Sequence, residues 1–581
     1  MQKIIACVLF SLLVQFSFAQ LSQVLSAVDS LTYSNRVGGN KLDSLDLYFT
    51  AYPQTTPGGA VYHVFGNFQS NFTDLFDRFR TPFLIEKPIS NKFSALPHLG
   101  FMYSFGSKGV QFLHTDYQQQ LGKRTSFQFL LQQNSLGEML RNGDFKNRQI
   151  QSSLRYSGKK YLFGFDLWFQ HSEIGLNHGL QDSVSANIFD LQFLAVNNNE
   201  AFSKTNQIRI GTQHILNFSS DSTRVFGLLY KNNWSISNRV YRDSLDLNTK
   251  YAELNFDSLK TRDQFQLAKF QNALGFAYRN KKITLEGFAQ ASYWDFQNIA
   301  RHQDTTELSL HVNGIYQTAK WQLKNESYLN LKGALGEWSE KLYFRLNRTA
   351  WDVKLVAGIE NKLPDVFQRK YFANSYHWAL TDLKNQQKTF VDLNLSFKNK
   401  FEPNVSVFYK QYQHLYFYVG NSWRNDTLTK ISLLQFQGSV LLPFKSFGLR
   451  LVASVNPLAQ NFTYIPLWDL RGRLFFQKKL FKAKKFDFIC AVDLKYQSVA
   501  QLLDYNAALG LYALNSSPVV SFKSDWVKID FYTAFKIDEF RFYFKLENID
   551  YSWLNRDIKV LSNYPIAPRM IRLGVTWDFF N

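Results

Sequence analysis

The sequence predicts an all-β chain closed into a transmembrane antiparallel barrel of the outer membrane, with roughly 18–22 strands. Three observations carry that expectation. The chain opens on an export leader, most of its length alternates apolar and polar side chains with a period of two, and its connections alternate between tight and long.

Met1-Gln2-Lys3 is a short basic start, Ile4 to Phe18 is mostly apolar, and Ser17-Phe18-Ala19 supplies small residues for cleavage before Gln20. Residues 1–19 therefore read as a signal peptide, since the apolar run is shorter than the ~20 residues of a helical span. Cys7 leaves with the leader, so Cys490 is the only cysteine of the mature chain. One cysteine can form neither an intramolecular disulfide nor a thiolate metal cluster. Aromatic residues make up 17% of the chain while the mean hydropathy is −0.26. A barrel needs both, because half of each strand faces lipid and half faces a wet interior. The formal charge of +20 would suit nucleic acid, but an exported chain with dispersed Lys and Arg points instead to anionic lipid head groups or solutes.

The alternation is clearest late in the chain. Val527, Ile529, Phe531, Phe535 and Ile537 share one face, and Trp526, Lys528, Asp530, Tyr532 and Lys536 share the other. Phe540, Phe542, Phe544 and Leu546 alternate with Arg541, Tyr543, Lys545 and Glu547 after a turn at Asp538-Glu539. A helix, with its 3.6 period, cannot sort these sets onto two faces. Ile283, Leu285, Ala289, Ala291 and Tyr293 oppose Thr284, Glu286, Gln290 and Ser292, and Val391, Leu393, Leu395 and Phe397 oppose Asp392, Asn394 and Ser396. Phe486, Phe488, Cys490, Val492 and Leu494 share an apolar face, which makes the cysteine a small lipid-facing residue.

Short polar turns at 157–160, 279–282, 347–349 and 398–400 separate strand pairs, and longer polar segments near 172–205, 233–264, 363–388, 496–525 and 551–568 lie between them. Tight turns belong on the periplasmic side and long loops outside. Twenty-two provisional spans run from residues 99–105 to 569–579, with the first hairpin and the 206–232 pair carrying the weakest pattern. Residues 371–380 could form another strand but would break the short–long order. Residues 20–98 lack sustained alternation and read as a periplasmic or lumen-tucked segment, with a short strand over 43–49 and a turn over 55–59, ahead of a barrel over 99–581. Ile571, Leu573, Val575, Trp577 and Phe579 form an apolar, aromatic-ended final face, suited to pairing with the first strand and to reading by the barrel assembly machinery.

Several stretches add a resemblance. Val110 to Tyr117, the hairpin to Phe129, Ile150 to Tyr156 and Tyr161 to Phe169 resemble the putative porin family of the Bacteroidota, as do Phe542 to Ile549 and Tyr564 to Arg569 leading into Arg572 to Trp577. His171 to Leu180 resembles that family's loop segment, except that His178 interrupts its Asn–Gly–Gly arrangement. The resemblance implies a porin-like barrel with no catalytic residues to carry over.

The expected function is a channel for passive or weakly selective passage of small solutes, with Glu286, Asp392, Lys528 and Asp530 as lumen-lining charges. The alternatives are a barrel subunit of an envelope assembly or secretion complex, which would imply envelope protein partners, and a TonB-dependent-receptor-like transporter lacking a full plug. No cofactor, metal or nucleic acid is expected. His114, His171, His178 and His214 read as interface, lumen or loop residues, since no nucleophile elbow or H-E-x-x-H spacing occurs. The mature chain should fractionate with the outer membrane of a diderm bacterium and stay there through a high-salt wash. Release by salt alone would reject the barrel.

Overall fold

A computed structural model of the chain describes residues 96–581, apart from 182–189, 220–223, 245–250, 252, 300–301, 421, 426–429, 483–484, 515–522, 555–557 and 581. The expected leader, Cys7, the strand over 43–49 and the turn over 55–59 lie outside the described residues, as does the side chain of Trp526.

The described residues form a sheet of 22 strands. In chain order they are β1 (His98–Gly106), β2 (Gln111–Leu121), β3 (Thr125–Leu136), β4 (Phe145–Ser157), β5 (Tyr161–Gly175), β6 (Phe202–Asn217), β7 (Val225–Asp243) and β8 (Thr261–Arg279). There follow β9 (Ile283–Asn298), β10 (His302–Gln317), β11 (Trp321–Lys332), β12 (Trp338–Asn347), β13 (Trp351–Lys362), β14 (Gln386–Phe397) and β15 (Asn404–Gln413). The last seven are β16 (Lys430–Phe444), β17 (Phe447–Val455), β18 (Trp468–Leu480), β19 (Phe486–Gln501), β20 (Lys523–Ile537), β21 (Phe540–Glu547) and β22 (Met570–Phe580). Each pairs antiparallel with its neighbours, and β22 pairs with β1 in a register that sets Trp577 against Phe101 and Phe579 against Leu99. The barrel is closed, so no strand edge is left to lipid. No helix is long and apolar enough to cross a membrane among the described residues.

The period of two places side chains as the sequence implies. Leu285, Val391, Leu393, Val492, Leu494, Phe542 and Trp577 are exposed on the outer wall, whereas Glu286, Phe390, Asp530, Lys545 and Arg572 are buried on the inner one. Cys490 shares the outer face with Val492 and is half-buried. Inner aromatics lie flat on the wall over glycines. A Cβ on Gly448 would stand 2.1 Å from the Phe475 ring, and one on Gly574 would stand 2.4 Å from that of Tyr543.

Connections after even-numbered strands run from two residues, as at 445–446 and 538–539, to the seven of 218–224. The long segments follow odd-numbered strands: 176–201, 244–260, 363–385, 414–429, 502–522 and 548–569. The two ends of the barrel are thus chemically different, with tight turns on the periplasmic side. The first hairpin and the 206–232 region, weakest in pattern, are ordinary members of the sheet, and β7 and β8 reach 19 residues each. Three expected loops begin later than their polarity suggests, because β5, β7 and β19 continue beyond the apolar band. Above the hydrocarbon both faces of a strand are polar. Alternation fades there although the backbone ladder persists. Lys370–Phe372 and His377–Ala379 pair only with each other, as a small hairpin outside the barrel sheet.

Deleting residues 571–581 should leave β1 and β21 with unpaired edges and stop membrane insertion. Heat-modifiable migration and protease protection of the truncated chain measure this, and normal folding would overturn it.

Candidate functional site: a charged lumen under a cap of loops

Charged side chains on the inner wall neutralise one another along and across neighbouring strands. Lys528 stands 3.4 Å from Asp530, Lys545 lies 3.4 Å from Asp530 and 2.7 Å from Glu547, and Arg572 lies 2.7 Å from Glu547. Arg473 pairs with Asp493 at 2.6 Å and Arg471 with Asp469 at 2.8 Å, extending the ladder across β18 and β19. Further round, Glu360 holds Lys362, Lys341 and Lys388 at 2.6, 3.1 and 3.4 Å. Lys231 meets the fully buried Glu286 at 2.6 Å and lies over the Phe288 ring. Such pairs hold long side chains against the wall; desolvation offsets most of their attraction.

The mouth at the long-loop end is spanned by protein. Loop 502–522 is rooted between β19 and β20, yet its tip meets β7 on the opposite wall. The buried Arg239 guanidinium donates to the carbonyl oxygens of Ala508 at 2.7 Å and Ala507 at 3.3 Å. That tip is a hairpin, Asp504–Asn506 paired with Leu511–Ala513, and Gly510 turns it with a φ of +69° that favours glycine. Other loops close around it. Leu514 donates to the Tyr418 carbonyl at 3.0 Å, Ser562 to Leu503 at 3.1 Å, Leu180 to Asn563 at 3.0 Å and Asn255 to Asn374 at 2.9 Å. Asn506 donates its side-chain amide to the Tyr376 hydroxyl at 3.1 Å. Two apolar cores knit the cap: Phe367, Tyr371, Trp378, Tyr418 and Leu511 pack on Phe265 and Phe296 of the wall, and Phe417, Phe462, Leu503, Tyr512 and Tyr564 pack on Phe408 and Tyr412. Burial pushes the hydroxyls of Tyr376 and Tyr505 up, keeping them protonated and able to donate.

Of the charges singled out in the sequence, Lys528 and Asp530 belong to one ladder, while Glu286 lies on β9 and Asp392 on β14, apart from it and from each other. The four do not converge on one point. Ile571, Leu573, Val575, Trp577 and Phe579 stand together on the outer face of the closing strand, opposite β1 residues. Arg239 and the 504–513 hairpin were not legible, because a loop's docking partner leaves no periodic trace. A weak cue existed: the aromatic content of 363–380 and 412–423 is high for solvated loops. His178 takes the left-handed backbone, φ 55°, which a glycine there would adopt freely, and its Nε2 lies 2.9 Å from the Tyr241 hydroxyl. Among the described residues no group of three or more His, Cys, Asp or Glu could hold a metal ion.

The family model described as Putative porin matches residues 87–581. No curated protein matches the chain in sequence. Solved structures share the fold. An FrpB iron transporter of Neisseria meningitidis aligns with a TM-score of 0.58 and 10% identity, over 84% of this chain and 82% of that one. The siderophore receptor PirA of Acinetobacter baumannii gives 0.56 and 11%, over 84% and 82%. A ferric enterobactin receptor of Pseudomonas aeruginosa gives 0.56 and 10%, over 84% and 81%. Identities this low speak to architecture alone: a large outer-membrane barrel.

Arg239→Ala should loosen the hairpin without unfolding the barrel. Losing hydrogen bonds to a charged donor costs about 2 kcal/mol, roughly a 30-fold rise in local opening. Hydrogen exchange at the amides of Leu514 and Ser562 should speed up by that order while wall strands keep their protection. Unchanged exchange would remove Arg239 as the anchor.

Proposed function

The chain belongs to the family described as Putative porin, and from that premise we propose that it moves solutes across the outer membrane through a lumen gated by its extracellular loops. The observation that carries this reading is the hairpin 504–513, rooted on one wall and held by Arg239 on the other. A passive pore needs an unobstructed mouth, whereas here several long loops meet above the lumen. Passage then requires the cap to move, and a gate of this kind suits a receptor-like transporter better than free diffusion. The shared architecture with an iron transporter and siderophore receptors supports that side of the choice.

Below the cap, the wall favours anionic solutes. From β17 to β22 it presents Arg450, Arg471, Arg473, Lys495, Lys528, Arg541, Lys545 and Arg572 against Asp469, Asp487, Asp493, Asp530, Glu547 and Asp578. Most of these charges are paired, so the preference is mild. Glu286, Asp392, Lys528 and Asp530 act here as parts of a lumen lining, setting the local field without forming a single binding point. A lumen of 22 strands is too wide to be filled by wall side chains, and the chain ahead of Leu96 is long enough to be a second occupant of it.

Planar-bilayer recordings test the proposal with three proteins: the intact mature chain, one with residues 504–513 replaced by Gly-Gly, and one beginning near Ser94. The intact chain should stay closed with brief openings. The shortened loop should give long-lived conductance steps and a reversal potential shifted toward chloride in a KCl gradient. Identical steps with and without the hairpin would show that the cap is no gate, and silence in all three would reject transport.

A further inference from the structure

Lipid demands an apolar outer wall, and most of this barrel complies. A sector centred on β9 and β10 departs from this with linked polar groups. On its near side, the Asn272 side-chain oxygen accepts from the Tyr230 hydroxyl at 2.8 Å and from the Asn232 amide at 2.9 Å. Asn272 stands on the outer face between Phe270 and Leu274, both exposed, and its side-chain nitrogen has two amide hydrogens to donate. On the far side, Glu340 of β12 bonds with Ser327 and Asn325 of β11, which are both neutral. Asn325 is only 7% exposed, and its side-chain oxygen has no hydrogen-bond partner.

These groups are not at the membrane surface. Asn232, Asn272 and Glu340 each stand seven residues from the periplasmic ends of their strands, at Val225, Arg279 and Asn347. At ~3.3 Å per residue and a tilt near 40°, that is about 18 Å up an apolar band ~25 Å tall. Acyl chains offer such groups no partner, so hydrocarbon is the wrong neighbour. Between the two clusters the outer wall is recessed. Gly287, Ala289 and Ala291 on β9 face outward, with Gly287 beside Val312 in the ladder, and a Cβ on Gly287 would meet nothing within 4 Å. Nothing within the chain requires a glycine there. The connections β9–β10 and β11–β12 within this sector are also short, at 299–301 and 333–337.

We propose that this sector is the interface between two copies of the chain. A two-fold axis along the membrane normal, passing by Gly287, would bring the amide edge of one copy to the carboxylate edge of the other at the same height. The pairing is self-complementary, as an isologous contact must be: Asn272 donates to the partner's Glu340, and the reverse contact repeats it. Small residues at the centre let the two convex walls approach closely. The inference stands on the outer wall alone and does not depend on the gated-transport reading.

Disulfide capture in native outer membranes tests it. The chain carries its own control, because Cys490 faces lipid on β19, far round the barrel from β9. With Cys490→Ser as background, Gly287→Cys should form a product of twice the chain's mass on mild oxidation, at least tenfold more than the chain bearing Cys490 alone. Val312→Cys, also outward, serves as a second position should the first fail to fold. Adding Glu340→Leu or Asn272→Leu should cut the product severalfold while heat-modifiable folding persists. The proposal is overturned by cross-linking no greater than that of Cys490, by a product joined to a different polypeptide, or by a yield indifferent to both leucine variants.

Discussion

Backbone amides and carbonyls in hydrocarbon have no water to turn to, and the rest of the structure depends on that constraint. The chain answers it with one continuous ladder, closed where His98–Gly106 meets the last strand. Closure fixes which face of every strand points outward, because a slip of one residue at any pair would turn a row of charges into lipid. The aromatic-ended final strand is therefore more than a terminus: its register with β1 sets the register of the ring.

Closure also creates a second problem. A ring of this circumference encloses more room than its own side chains fill. The inner wall is handled by charge pairing between adjacent strands, which keeps Lys and Arg extended along the wall instead of across the lumen. The mouth is handled by the loops, whose aromatic side chains find one another and build small cores outside the membrane. Arg239 connects the two solutions. It belongs to the wall by backbone and to the cap by its hydrogen bonds, so the state of the cap is tied to a strand that cannot move.

The outer wall follows the same logic, with a departure around β9 and β10. Where side chains meet lipid they are mostly apolar, and Cys490 conforms as a small residue between Phe488 and Val492. The polar sector around Gly287 keeps the backbone ladder intact but breaks the side-chain rule. It is a matter of what the wall faces, not of how the wall folds.

Much of this was present in the sequence. The period of two assigned Glu286, Asp392, Lys528 and Asp530 to one face and Leu285, Val391 and Ile529 to the other, because burial in a sheet is decided locally by residue parity. The order of tight and long connections oriented the barrel, since a turn of two or three residues forces adjacent strands to pair. All twenty-two provisional spans correspond to strands, including the weak ones near 206–232. Strand ends were less legible, because residues above the membrane lose alternation while keeping their hydrogen bonds. Tertiary structure alone decided that Lys528 and Asp530 join Lys545, Glu547 and Arg572, that Arg239 grips Ala507 and Ala508, and that Trp378 packs against Tyr418. Those contacts join residues distant in the chain, through loops whose conformation no periodicity encodes. The wall is a local, repeating problem that hydrophobic pattern solves strand by strand. The cap is a single packing arrangement of many segments, and only their meeting in space determines it.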